Sequence, residues 1–167
     1  YARADALTGL ASDPAARTAV ASWRETRADL DQTVAEWPAG GRVAVHRDFH
    51  DRQLLELGGA TGLIDFDMAS PGDDALDVAN LAAHLELRML QHGPGATRAL
   101  VLASLRSLRA GMHRDAEPGF DRRFRFYRAA TFLRLALVYR LRPQWSKLFG
   151  PLVERAATRA AEVCHVE

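Results

Sequence analysis

The sequence predicts a mainly α-helical α+β domain with a small β element set into its first third. Three observations carry this. Apolar residues recur at helical spacing from Val20 to Trp37, and helical patterning resumes after Asp73 and runs to the end of the chain. Between those stretches, from Arg42 to Ile64, the apolar runs shorten to three or four residues and are divided by a glycine-rich turn. The 167 residues, 48% hydrophobic and 26% charged, suffice for one compact core and are too few for two ordinary domains, so residues 1–167 are expected to form a single unit of organisation.

Taken in order, Ser12-Asp13-Pro14 offers capping side chains followed by a proline suited to the first turn of a helix. Val20, Trp23, Leu30, Val34 and Trp37 mark the apolar face of that helix, and Pro38-Ala39-Gly40-Gly41 stops it. Val43–Val45, Leu54–Leu57 and Gly62–Ile64 are expected as short strands, the last two joined by Gly58-Gly59-Ala60-Thr61. Residues 75–90, ALDVANLAAHLELRML, are apolar nearly all round and predict a helix buried in the middle of the domain. His92-Gly93-Pro94-Gly95 breaks it, and further helices are expected over 96–112, 120–141 and 151–165.

Several function classes are set aside by composition. No apolar run approaches the length needed to span a bilayer, and the opening YARADALTGL has no signal-peptide pattern, so no membrane partner is expected. The start at Tyr1 reads as an internal cut in a longer protein. Cys164 is the single cysteine, which excludes an internal disulfide and fits a reducing, cytoplasmic setting. Net charge is +1, with the arginines interleaved among acidic residues and Lys147 the only lysine; this is the mark of an Arg- and Ala-rich composition rather than of a nucleic-acid surface.

Polar residues concentrate between residues 46 and 77. If the two later strands form a hairpin, Gln53 precedes the first and Asp65 follows the second, so the two lie side by side at its open end. Cross-strand neighbours have Cβ atoms about 4.5–5.5 Å apart, close enough for one oxygen from each to share a cation. Such a pair of hard oxygens suits Mg²⁺, which completes its shell with water and phosphate. Asp48, in the loop before Gln53, would face the same spot and orient a hydroxyl.

The ordered set HRDFHDRQ, IDFD and GDDALDVA, residues 46–79, resembles the C-terminal lobe of the aminoglycoside phosphotransferase and choline kinase family, small-molecule relatives of protein kinases. The usual pattern there is H-G-D-x-x-x-x-N, I-D-[FW]-[DE] and G-D-P-x-x-D-[LV]-A. The resemblance implies a protein-kinase-like helical lobe whose small hairpin carries the catalytic and metal-binding loops. It implies that Asp48 accepts or orients the acceptor hydroxyl, that Asp65 is the main Mg²⁺ ligand towards ATP, and that Gln53 stands at the second metal position. Asp67 would support the metal or the loop. His46 would hold the loop, and Asp73 and Asp77 would be structural, one capping the buried helix and the other accepting loop N–H groups. Gln53 departs from the family's asparagine by one methylene, and Arg47 from its glycine. The stretch from Asp65 to Asp73 is too short for a regulated activation loop, which favours a small hydroxylated substrate over a protein.

A complete enzyme of this kind also needs an N-terminal lobe with a phosphate-covering loop and an ATP-pairing lysine. Neither is expected here, because Lys147 lies far downstream and Gly58-Gly59-Ala60-Thr61-Gly62 sits inside the hairpin. The chain alone is therefore expected to be inactive, with its own N-terminal lobe as the partner that completes ATP binding. Two other readings stand beside this one. A degenerate kinase-like lobe would bind without transfer, with Gln53 as its support. A metal-dependent hydrolase would gather His46, Asp48, His50, Asp65 and Asp67 around zinc or a metal pair. For a cationic substrate the candidate carboxylates are Glu86, Asp115, Glu117 and Asp121, crowded by Arg114, Arg122, Arg123 and Arg125. The second H-R-D, His113-Arg114-Asp115, lacks every downstream element and reads as a loop ending a helix.

Overall fold

The computed structural model describes residues 14–35, 42–93, 95–111 and 119–164. The chain divides into two compact units, Tyr1–Trp37 with Ala129–Glu167, and Pro38–Arg128. Ser12, Asp13, Trp37–Gly41 and the second H-R-D fall outside the described residues.

The first unit is built from helices. Helix α1 (Pro14–Ala35) starts at the proline whose missing N–H is an orphan of the first turn in any case. It packs along the last helix, α5 (Phe149–Cys164). On α5 the buried residues Phe149, Leu152, Val153, Ala156, Ala160 and Val163 fall at spacings of three, one, three, four and three, one stripe of a 3.6-residue helix. Pro151 does not delay that helix to residue 151, as the sequence suggested. It sits in the first turn, where the amide it lacks has no intrahelical partner, so α5 begins two residues earlier. The later part of α4 (Phe120–Arg140) adds Phe132, Leu133, Leu135, Ala136 and Tyr139. Trp23 buries its ring and donates its indole N–H to the Leu133 carbonyl at 3.0 Å, so the one polar atom of a large apolar side chain is satisfied inside.

The second unit carries all the strands. Strand β1 (Arg42–Val45) pairs antiparallel with β4 (Ser70–Asp73), in the register Arg42↔Asp73 to Val45↔Ser70. Nothing in Ser-Pro-Gly-Asp has strand propensity, and β4 was not expected from the sequence. It exists because Val45 is buried against it: a Cβ on Gly72 would stand 2.5 Å from Val45 Cγ2, so only glycine lets the two backbones approach this closely. Strands β2 (Leu54–Leu57) and β3 (Ala60–Leu63) form a hairpin with Leu57 opposite Ala60. The turn is therefore Gly58-Gly59 alone, with φ of 59° and 82°, the left-handed pair that a two-residue turn of type I′ needs. Ala60 and Thr61, expected in the turn, belong to the strand.

Helix α2 (Ala75–His92) follows β4, and α3 (Gly95–Gly111) packs against it. As its composition required, α2 is buried over most of its length: Ala75, Ala79, Asn80, Leu81, Ala82, Ala83, His84, Glu86 and Leu87 are all inside. Its start is capped by Asp73, whose Oδ1 accepts the Ala75 N–H at 2.9 Å. The same junction is tied to α4 by Arg123, almost wholly buried, which reaches Asp73 and Asp74 at 3.1 Å each. Burial raises the Asp73 carboxyl above its ordinary value, with Asp74 beside it adding to the shift. Burial also works against the charged Arg123, but its hydrogen bond to Asp74 and the Asp73 charge outweigh that and raise its pKa.

Candidate active site

The loop that leaves β1 begins with His46, buried beside the rings of Phe49 and Phe66 at centroid distances of 6.1 and 5.1 Å. Its Nε2 lies 2.8 Å from the Ile64 carbonyl, which ties the loop to the end of the hairpin one residue before Asp65. Its Nδ1 is buried without a hydrogen-bond partner among the described residues. Arg47 follows with φ 70°, a left-handed conformation costing an L-residue roughly 1–2 kcal/mol. This is the position where the resembling family usually carries glycine. Asp77, one turn into α2, accepts both the His46 and the Arg47 N–H, at 2.6 and 2.8 Å. Two charge-assisted bonds to one carboxylate hold the backbone in a conformation it would not choose.

Asp48 is half-buried, and its Oδ2 lies 3.8 Å from His50 Nε2. The chain then makes one short helical turn, Asp51–Gln53, with the His50 Nδ1 accepting the Arg52 N–H at 3.2 Å. Asp51 is gripped through both oxygens by Arg88 at 2.9 Å. Burial pushes the Asp51 carboxyl up, but the Arg88 hydrogen bonds and charge, with smaller contributions from His84 and His50, win and hold it below the ordinary range.

Gln53 is buried to 7% exposure and donates its Nε2–H to Asp65 Oδ2 at 2.9 Å. The pairing follows from the hairpin register: Ile64 N–H bonds the Gln53 carbonyl at 3.1 Å, extending the ladder one step beyond Leu54 and Leu63. Asp65 itself turns left-handed, φ 66° and ψ 57°, which a short polar side chain tolerates better than most. Asp67 is exposed on the following turn, Phe66–Met68.

The structure thus brings together Gln53 with Asp65, His46 with the backbone beside Asp65, and Asp77 with the backbone beside Asp48. It does not gather the five residues of the hydrolase reading. Among the described residues, the one group of three potential ligands with atoms within 4.8 Å of one another is His50, Asp51 and His84, and it contains neither Asp48, Asp65 nor Asp67. Of the carboxylates considered for a cationic substrate, Glu86 is buried in an ion pair with Arg128, and Asp121 is paired with Arg125 at 2.8 Å. Asp115 and Glu117 lie outside the described residues.

Sequence reasoning missed Asn80, His84 and Arg88 as contributors to this region. The signal was present: three polar residues in a helix otherwise rich in Ala and Leu. A polar side chain inside a buried helix must find a partner, and here the partner is the loop.

A glucosamine kinase (crystal form B) superposes on this chain with a TM-score of 0.52 at 22% identity, over 90% of this chain and 46% of that one. The chain shares the fold of the matching part of that neighbour and spans less than half of the neighbour's length. The chain belongs to the phosphotransferase enzyme family, whose model matches residues 2–117, well over half its length. No curated protein matches it. Among the described residues no helix is long and apolar enough to cross a membrane.

Proposed function

We propose that the chain is the catalytic-loop and acceptor-binding lobe of an ATP-dependent small-molecule kinase that transfers the γ-phosphate to a substrate hydroxyl, as in aminoglycoside phosphotransferases. The observation that carries this is the Gln53–Asp65 pair, 2.9 Å apart at the open end of the hairpin in a chain of the phosphotransferase enzyme family. A carboxylate and an amide are hard oxygen donors, and they fit Mg²⁺. In the structure the amide presents its nitrogen to Asp65, and Gln53 and Asp65 would hold the cation through their oxygens in place of that hydrogen bond. Asp65 is the main ligand in this reading, Gln53 the second, and Asp67 supports them from the adjacent turn. The ion supplies neutralisation of the triphosphate charge.

The chain's own groups do the positioning. Asp48 holds the acceptor hydroxyl by accepting its hydrogen. As the acceptor oxygen bonds to the γ-phosphorus and the β–γ bridging P–O bond breaks, ADP leaves and the hydroxyl proton passes to Asp48. Little base strength is required, since phosphoryl transfer depends mainly on orientation and charge. His46, Asp77 and the cap from Asp73 keep this loop in place.

The triphosphate needs more than this lobe supplies. Lys147, the only lysine, is exposed in the turn Pro143–Leu148 and far in sequence from the site. The hairpin and the turn after it leave Leu55, Leu57, Ile64, Phe66 and Met68 exposed, apolar residues suited to contact with a nucleotide or with an N-terminal lobe. Residues 1–167 alone are therefore expected to turn over little or no substrate, and the setting is read as cytoplasmic.

The test is ADP release by the full-length protein with Mg²⁺, ATP and a panel of aminoglycosides, amino sugars, choline-like amines and macrolides. Turnover of at least one hydroxylated acceptor is expected, with Asp48→Asn lowering kcat by about 10²–10⁴-fold and Asp65→Asn lowering turnover and raising the Mg²⁺ concentration needed for it. An Asp48→Asn enzyme of undiminished kcat overturns the assignment. The Gln53 hydrogen bond to Asp65 also favours a second reading, a lobe that binds nucleotide without transfer. That reading predicts calorimetric binding of Mg²⁺·ATP with no ADP released for any acceptor.

A further inference from the structure

The loop from His46 to Asp51 is held at four successive points by one stripe of α2. Asp77 accepts the His46 and Arg47 N–H groups. Asn80 Nδ2 donates to the Phe49 carbonyl at 2.9 Å. The His84 ring stacks on His50, with centroids 4.7 Å apart and planes 29° from parallel. Arg88 clamps Asp51. Residues 77, 80, 84 and 88 are three, four and four apart, so each lies about one turn beyond the last on a single helix face. Loop and helix run in the same order, one grip per turn.

His50 is the member of this series that faces Asp48. Its Nδ1 accepts the Arg52 N–H, so a neutral ring carries its proton on Nε2. That nitrogen lies 3.8 Å from Asp48 Oδ2. The distance exceeds a hydrogen bond, and a small rotation of either side chain closes it; catalytic contacts are often this loose before substrate binds.

A metal on His50, Asp51 and His84 is the competing explanation of the cluster. Two features oppose it. Both Asp51 oxygens are occupied by Arg88. Ring-nitrogen lone pairs lie in the imidazole plane, and two rings stacked at 29° direct them side by side rather than at a common point.

We propose that His50 and His84 are positioning residues for Asp48: stacking on His84 fixes the plane of His50, and the Nε2–H of His50 steers the Asp48 carboxylate that orients the acceptor hydroxyl. This rests on the reading of Asp48 given above.

Two measurements on the full-length protein test it. In ¹⁵N-resolved imidazole spectra at one neutral pH, His50 is expected as the Nε2–H tautomer, with its Nε2 signal displaced in Asp48→Asn. This readout needs no catalysis, so it judges the His50–Asp48 contact even if Asp48 turns out not to serve transfer. In kinetics, His84→Ala is expected to lower kcat about tenfold, since small misplacements of a reacting group are costly, with KM for ATP and acceptor little changed. His84→Phe keeps a ring to stack upon and recovers most of that loss. His50→Phe keeps the stack, loses the donor and shows the same fall in kcat. Unchanged kcat in both His84→Ala and His50→Phe, an Nδ1–H tautomer for His50, or stoichiometric zinc that His84→Phe abolishes would each overturn the proposal. If His84→Ala fails to fold, His50→Phe and the tautomer still decide it.

Discussion

The loop carrying Asp48 and the hairpin carrying Gln53 and Asp65 are adjacent in sequence and built on opposite principles. The loop has almost no regular structure, yet its backbone and side chains are gripped by α2 at Asp77, Asn80, His84 and Arg88. The hairpin is regular, with a full ladder and a two-glycine turn, yet all eight of its strand residues are exposed and Leu57 at its tip is 85% exposed. Regularity and rigidity are therefore separate properties here. Asp48, proposed above to orient a hydroxyl, sits in the segment fixed by tertiary contacts. Gln53 and Asp65, proposed above to hold a cation, sit at the base of the hairpin whose strand residues are exposed.

This contrast can be broken from the loop side. Removing Asp77 with Asp77→Ala should have the largest effect on stability, about 3 kcal/mol by urea unfolding, since two backbone N–H groups lose a charged acceptor and Arg47 loses what holds it left-handed. Asp77→Asn, which keeps a neutral acceptor, should cost about half as much.

Arg88→Leu tests the far end of the same stripe and should cost about 1–3 kcal/mol near neutral pH, the range for hydrogen bonds to a charged group. It also carries a pH signature. The Asp51 pKa is lowered in the folded protein, so its contribution to stability is fully present above the unfolded value of about 3.9 and is lost as pH falls through the folded value below that. Asp73 runs the other way: its raised pKa means stability declines as pH rises from about 3.9 through its folded value. Stability measured between about pH 2 and pH 6 should show the Asp51 component vanish in Arg88→Leu while the Asp73 component persists.

Arg47→Gly should be mildly stabilising, about 0.5–1 kcal/mol, because relief of the left-handed strain exceeds the extra entropy glycine brings to the unfolded chain. Loss of stability instead would mean that the Arg47 side chain contributes more than its backbone costs. The smallest effect belongs to the hairpin tip. Leu57→Ser should change stability by less than about 0.5 kcal/mol, as expected for an exposed side chain. If it weakens nucleotide binding in the full-length protein, the tip is a contact surface.

The second unit also explains which parts of the site were legible beforehand. The nearness of Gln53 and Asp65 was legible because the two flank the hairpin, although the register sets Gln53 opposite Ile64, one residue before Asp65. The turn itself was placed two residues too long, since Ala60 and Thr61 suit either assignment until the register is known. Strand β4 was invisible: a Ser-Pro-Gly-Asp segment becomes a strand only because β1 lies beside it and Gly72 admits Val45. Glu86 was considered for a cationic substrate and is instead buried against Arg128, because it lies on the buried stretch of α2 from Ala79 to Leu87.

By itself the sequence determined the helices, the hairpin and the order of the chemistry-bearing residues. All of these depend on neighbours within a few positions, through apolar periodicity, proline and glycine geometry and fixed short spacings. Only the tertiary structure decided how the Asp48 loop is held, that Asp73 and Asp74 share Arg123, and that His50 stands between Asp48 and His84. Apart from His50 with Asp48, those contacts join residues 30 to 50 positions apart, where a buried polar group takes whichever partner packing brings within reach, and no local pattern specifies that partner.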